Sequence, residues 1–537
     1  MGSSPQSAIT MSAVVTLLVA VATLAAAVVG FFSWRFGYWR RRGIPYVKPS
    51  IPFGNMKDAF LAKRPFHHVM HDLSKQFEGK QYGGIFIFWQ PALVVLEVDV
   101  IKDVLVRFAH SHFVDHVAGP DPKKDPLLAK TLFSSKGKRW RILRQSLSPA
   151  FSSGKMKMMY PLVKQKGIML TEKMEDIASQ PDPKADMKLS FARFTTDVIA
   201  SCAFGIEVNS LNEPDNQFLK MGLKTIERSF RHMLDTVVIL TLPSLRKITR
   251  SIFVVKEVAD FFRHLVWNVV NEREEKGFKR GDFIDLLIQL KNKGSIQGDD
   301  EVRSDVKVEE KVIPDSEEYF HGDSLVSHAF VFYFAGFETS STAMNFALFE
   351  LAANQDCQER LIEEIDAVLE SNKGEITYET LHSMKYLDMV VSETLRKYPA
   401  LAMLDRVCTQ EYRNKEHDLV IPKGMHVLIP VYTIHQNPIH YPDPEKFDPE
   451  RFSDEAKKNR PSFTYMPFGE GPRMCIGMRF GLMQVKVGLF SVLSKLRFFL
   501  PEEFKHMRSS PLDAKAFLIS PDDSLRLIVK KRTPRTA

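Results

Sequence analysis

From Met11 to Phe32 the chain is apolar apart from Ser12, Thr16, Thr23 and Gly30, and no charged residue occurs before Arg35. A bilayer is spanned by about 20 apolar residues, so this stretch is long enough to cross one. Its charges, Arg35, Arg40, Arg41 and Arg42, follow the apolar segment, the reverse of a cleaved secretory leader. The positive-inside rule then puts the remainder in the cytosol, with Trp34, Tyr38 and Trp39 at the interface. Pro45, Pro49 and Pro52 block helix continuation and predict a stiff, extended connector. The expected organisation is a membrane anchor over residues 1–34, a basic and proline-rich connector over 35–54, and one body over 55–537.

Within that body the pattern is mostly helical. Gly84–Trp89 and Ala92–Val98 predict two short strands around Gln90-Pro91, the β-rich exception. Residues 155–292 read as several amphipathic helices, clearest over Asp282–Lys291. Thr236–Pro243 is apolar but too short to span, and fits either core or a second membrane-touching surface. Residues 299–318 hold nine acids among few apolar residues and predict an exposed loop. Leu325–Leu348 is apolar all round, which predicts a buried helix, yet carries Gly336 and the polar pair Glu338-Thr339 at its middle. Fold class is therefore mainly α with a small β-rich region, a single catalytic domain behind an N-terminal transmembrane helix.

Composition adds limits. The 537 residues show no low-complexity linker that would divide them. A formal charge of +8 admits nucleic acid, an anionic membrane or an acidic protein as partner. No nucleic-acid motif accompanies it, which leaves the membrane and an acidic protein. The four cysteines, Cys202, Cys357, Cys408 and Cys475, lack the spacing of a disulfide framework or a zinc knuckle.

Candidate chemistry centres on Phe468-Gly-Glu-Gly-Pro-Arg-Met-Cys-Ile-Gly477. A metal-ligating thiolate needs amide donors and positive charge nearby. Gly469, Gly471 and Gly477 let backbone approach Cys475, Arg473 offers charge, and the apolar helix predicted from Met478 favours an anion at its N-terminus. A buried structural cysteine also fits. In Lys136–Leu147, Trp140 and Arg144 share a helical face and offer an indole N–H and a guanidinium to one anion. Glu338 and Thr339 are costly in a buried helix unless used or paired. Either Thr339 bonds back one turn and Glu338 pairs elsewhere, or the polar pair is kept there for use. Glu393 and Arg396 lie at i, i+3 on one helical face, where they can form an ion pair, a common helix pattern.

In this order, Trp140-x-x-x-Arg144, Ala335-Gly336-x-Glu338-Thr339, Glu393-x-x-Arg396, Pro449-Glu-Arg-Phe452 and the Phe468–Gly477 loop together resemble the cytochrome P-450 monooxygenases of the microsomal type, closest in texture to insect xenobiotic-metabolising members. The resemblance implies haem b with Cys475 as axial thiolate. It implies Phe468 and Arg473 in the loop, Trp140, Arg144 and Arg406 toward the haem propionates, and Glu338 and Thr339 at O–O cleavage. Glu393, Arg396 and Arg451 would form a triad bracing the loop; for Arg406 a surface position is the competing reading. It further implies insertion of one O2 oxygen into a lipophilic small molecule, with NADPH electrons through a reductase and sometimes cytochrome b5, at the endoplasmic reticulum membrane. An isomerase of the same fold and a haem carrier are the rivals. Phe330, Phe334, Phe337, Ala400–Leu404 and Phe517-Leu518 are the expected apolar pocket. Lys138 and Arg141, turned to the cytosol, would meet an acidic electron donor.

Overall fold

The computed structural model describes residues 5–117, 119–213, 215–225, 235, 238–239, 252–294, 316–516 and 518–532. The central helix, Asp323–Ala353, packs along Met187–Ile199 and along Met478–Leu493. Its apolar circumference is what this position requires, since neighbours meet it on every side. The Met478–Leu493 helix approaches closely because a Cβ added at Gly488 would lie 2.2 Å from Met344 Sδ. The predicted amphipathic helix runs Phe283–Lys293, with Asp282 capping it by accepting from the Asp285 N–H at 3.2 Å.

A smaller lobe holds a four-stranded sheet with its own apolar clusters. Strands β1 (Tyr82–Ile87), β2 (Gln90–Val95), β3 (Leu404–Val407) and β4 (His426–Ile429) lie in the order β1-β2-β4-β3. The hairpin turn differs from the expectation. Ile87 pairs with Gln90 and Phe86 with Pro91, so the two turn residues are Phe88 and Trp89. Phe88 takes the left-handed conformation (φ 53°), and Pro91 is tolerated because pairing with β4 begins one residue later, at Ala92.

The connector is part of this lobe. Val47 N–H donates to Gly84 O at 3.1 Å and Gly84 N–H to Pro45 O at 2.8 Å, so the extended chain lies along β1. Trp39, expected at the membrane interface, is instead 1% exposed, and its indole N–H donates to Ile85 O at 3.0 Å. Gly84 leaves room for that ring. Trp34 is exposed. The N-terminal helix runs Pro5–Phe36, and from Ala13 onward it is long and apolar enough to cross a membrane. Residues 240–243, 236–237 and 299–315 lie outside the described residues, so the two readings of 236–243 and the acidic-loop expectation are not addressed by the fold.

Candidate active site

The Phe468–Gly477 loop is a tight turn closed by the Cys475 N–H donating to Phe468 O at 2.9 Å. Gly469 and Gly471 take φ of 73° and 74°, where side chains are strained, and a Cβ on Gly471 would sit 1.9 Å from Leu105 O. Gly477, at φ −88°, needs no glycine for its conformation. Its contribution is a backbone N–H directed at the Cys475 sulfur. Helix Met478–Leu493 starts just beyond, as predicted. The Cys475 side chain is accessible although protein encloses it, and burial pushes its thiol up, opposed by the Gly477 N–H and by Arg144.

Arg144, not Arg473, is thus the cation beside the sulfur. Its Nη1 donates to Met474 O at 2.9 Å. Arg473 extends the other way, donating to Val114 O at 2.7 Å and Ser135 O at 2.8 Å, with its guanidinium 4.3 Å from the centre of the Trp140 ring. Burial, reinforced by Arg406, drives the Arg473 pKa down to about 9. Arg406 is 2% exposed, which removes the surface reading; burial lowers it to about 10 against the opposing field of Asp405, and its Nε has no hydrogen-bond partner among the described residues. Trp140 thus meets Arg473 through its ring face. The exposed faces of Lys138 and Arg141 point outward on the same helix, Gly137–Leu147.

On the central helix, Ala335, Gly336 and Thr339 form an accessible patch in an otherwise buried rod. The Thr339 hydroxyl donates to Ala335 O at 2.6 Å, one turn back. Glu338 is buried, its Oε1 3.5 Å from Ser520 Oγ, so the two neighbours act from different faces. Phe330 and Phe337 turn into the core, stacking toward Phe334 and Tyr333. Phe334 and the unanticipated Val331 lie on the accessible side. Leu401 is exposed and Ala400, Met403 and Leu404 are partly so; Ala402 is buried, and Phe517 lies outside the described residues.

Glu393 and Arg396 pair at 2.7 Å with both side chains fully buried. Arg451 Nε lies 3.5 Å from Glu393 Oε1, an ionic contact without a hydrogen bond, while its Nη2 donates to Asp443 O at 2.9 Å. The link from this triad to the cysteine loop is a residue the sequence pattern did not reveal, His435. Arg396 Nη1 donates to His435 O at 2.9 Å, the ring Nδ1 meets Arg396 O at 3.1 Å, and Met466 N–H donates to Nε2 at 2.9 Å. Gly469 N–H then donates to Met466 O at 3.1 Å. Two acceptor and donor roles on one ring specify the neutral Nδ1–H tautomer. Burial, aided by Arg396, lowers its pKa to about 3. A lone histidine in Thr433-Ile-His-Gln carries no spacing signal that could have found it.

One accessible sulfur at a helix N-terminus, guanidiniums disfavoured by burial and an orphaned Arg406 Nε suit a group with a soft-liganded metal and acidic side arms; these residues fit haem. Fold and donor set define a haem-thiolate protein. The chain belongs to the cytochrome P450 family, whose profile, Cytochrome P450, matches residues 45–523. It is 40% identical over 506 residues to Cytochrome P450 6k1 of Blattella germanica, covering 94% of each chain. To Cytochrome P450 6j1 of the same insect it is 40% identical over 483 residues, 90% of this chain and 91% of that one. To Cytochrome P450 6a2 of Drosophila melanogaster it is 39% identical over 497 residues, 91% and 94% of the two chains. Membership brings haem with a cysteine thiolate, use of O2 and monooxygenase activity.

Replacing Cys475 by Ser is expected to abolish the red-shifted Soret band of the reduced, CO-bound protein, and survival of that band in the purified variant would reject Cys475 as the ligand.

For His435, the folded pKa of about 3 lies below the ordinary 6.5, so its stabilisation is present above pH 6.5 and is lost as pH falls toward 3. A protonated ring cannot accept from Met466 N–H. His435→Gln, which keeps an acceptor there, should retain the thiolate spectrum, whereas His435→Ala should lose it at lower temperature. The melting midpoint of wild type should fall more steeply than that of His435→Gln between about pH 6.5 and 4; equal slopes would show that the ring is not a titrating brace.

Proposed function

We propose that this protein inserts one oxygen atom of O2 into a lipophilic small molecule, xenobiotic or endogenous, using electrons from NADPH through a flavoprotein reductase, with cytochrome b5 as a second donor. The observation that carries the reading is the accessible Cys475 sulfur, set at a helix N-terminus beside the buried Arg144. Bound haem supplies iron that activates O2. Cys475 would hold that iron through its thiolate, kept anionic by the Gly477 N–H and by Arg144, and Phe468 closes its loop. Trp140, Arg144, Arg406 and Arg473 would hold the haem's acidic side arms, whose charge would relieve the guanidiniums disfavoured by burial. The triad of Glu393, Arg396 and Arg451 braces the loop through His435.

O2 would fit against the accessible Ala335–Thr339 stretch, while the missing side chain of Gly336 makes room for Ile199, whose Cδ1 would lie 3.0 Å from an added Cβ. The Thr339 hydroxyl spends its proton on Ala335 O, so its lone pairs are free to accept and orient an incoming proton donor. Glu338, against Ser520, serves as the buried acid behind it. Val331, Phe334 and Leu401 supply apolar contact for a lipophilic substrate. Lys138 and Arg141 present positive charge outward to an acidic donor, where complementary patches raise association rates.

The reading of location is a single-pass protein of the endoplasmic reticulum with its catalytic body, residues 55–537, in the cytosol. The membrane helix, over 1–34, is supported by an apolar collar. The Phe31 and Trp89 rings lie 6.3 Å apart, Phe60 stacks on Phe88 at 4.3 Å, and Ile51 and Leu61 are exposed.

Thr339→Ala should leave haem binding intact and divert electrons to hydrogen peroxide, cutting product formed per NADPH several-fold in the reconstituted system. Unchanged coupling would remove Thr339 from proton supply, and NADPH consumption that never exceeds that of the reductase alone would overturn the monooxygenase reading.

Deleting residues 1–34 should release most of the protein from phospholipid vesicles with the haem spectrum preserved, because a small apolar collar holds an interface only weakly. Full retention on vesicles would transfer the anchoring role to the collar.

A further inference from the structure

The helix that follows Cys475 meets the central helix along Gly481, Gln484 and Gly488, spaced i, i+3 and i+7 on one face. Two of these are glycines at a close crossing: an added Cβ would lie 3.8 Å from Ser340 Oγ at Gly481 and 2.2 Å from Met344 Sδ at Gly488. Between them sits a full-length polar side chain. Gln484 is 0% exposed and donates from Nε2 to Ser340 Oγ at 3.1 Å, with Gly336 O at 3.5 Å on the same nitrogen. Its Oε1 has no hydrogen-bond partner among the described residues. Turning the amide over would bring Oε1 against the Gly336 carbonyl, acceptor to acceptor, so the contacts define the orientation. A buried acceptor left unsatisfied is expensive, and leucine would fill the same volume without that cost.

The position of the amide suggests what the polarity is for. Gly336 and Ser340 bracket Thr339 on one turn of the central helix. The Thr339 hydroxyl draws on Ala335 O, and Gln484 Nε2 draws on Gly336 O, the next carbonyl. In an α-helix these carbonyls accept from the N–H groups of Thr339 and Ser340, so two successive backbone bonds are shared with side chains. The sharing falls on the turn that carries the accessible Ala335 and Thr339.

We propose that Gln484 is a positioning residue for proton supply at Thr339. Its amide holds the Gly336–Ser340 turn in register with the helix that begins beside Cys475, and its free Oε1 accepts from a water lodged at that turn. This rests on the monooxygenase reading. Gln484 acts through Ser340 and the water and touches no reacting atom.

The test uses the haem-loaded full-length enzyme with purified reductase. Gln484→Leu should lower product per NADPH several-fold and raise hydrogen peroxide, with the reduced CO band, the substrate-binding spectrum and the melting midpoint unchanged. Gln484→Glu should couple like wild type at low pH, where a protonated carboxyl donates as the amide does, and lose coupling as pH rises, while wild type shows no such step. Adding Ser340→Ala to Gln484→Leu should cost nothing further. Wild-type coupling in Gln484→Leu, loss of its CO band, or a pH-independent Gln484→Glu would each overturn the proposal. If wild type itself makes no product, the monooxygenase reading fails instead. The positioning claim is then decided by amide hydrogen exchange at residues 336–340, faster in Gln484→Leu if it holds and unchanged if it does not.

Discussion

Three guanidinium groups, those of Arg144, Arg406 and Arg473, lie inside the protein within one another's fields, and burial disfavours the charge on each. Charge withdrawn from water destabilises a fold unless an opposite charge comes with it. Asp115, 3.7 Å from Arg473, and Asp405 answer part of that demand. The remainder suits an anionic ligand. The thiolate is the same problem with the sign reversed: Cys475 is costly as an anion until metal, amide and Arg144 share its charge.

Rigidity around the sulfur comes from a second buried pair that never touches it. Glu393 and Arg396 are fully enclosed, and Arg396 spends its remaining donors on the carbonyls of His435 and Pro444, at 2.9 and 2.8 Å. The His435 ring carries that order to Met466 and so to Gly469. Backbone groups are thereby tied to a side chain with one permitted tautomer, which holds the turn more tightly than apolar contact would.

Much of this was legible in the chain. An apolar run around Gly336 and Thr339 announced a buried helix with an opening, the decapeptide announced the loop, and Glu393-x-x-Arg396 announced the pair once the Pro449–Phe452 stretch stood with it. What failed to show was direction. Arg473 and Arg144 are both basic and both close to Cys475, yet only the three-dimensional turn decides that the nearer one in sequence points away. The same holds for Phe330 and Phe337, which one helical rotation takes from the accessible side into the core, and for Trp39, whose amphipathic ring suited the interface until Gly84 offered it a slot. His435 was silent because its partners are main-chain atoms, which no side-chain pattern records. Gln484, a lone amide on the inward face of an apolar helix, was a signal that could have been read.

The N-terminal helix does not end in a loose tether. Arg35 donates to Trp89 O at 3.2 Å, the Phe36 ring lies 5.1 Å from that of Phe86, and Trp39 is sunk under β1. With no swivel between helix and body, any tilt of the helix is transmitted to the whole catalytic unit. Helices tilt to match the thickness of the bilayer around them. With the helix in a bilayer, as proposed, lipid composition would set how high above the headgroups the unit rides and which of its edges leans toward the acyl chains, so that the same polypeptide would meet a lipophilic substrate at a different angle in a thin membrane than in a thick one.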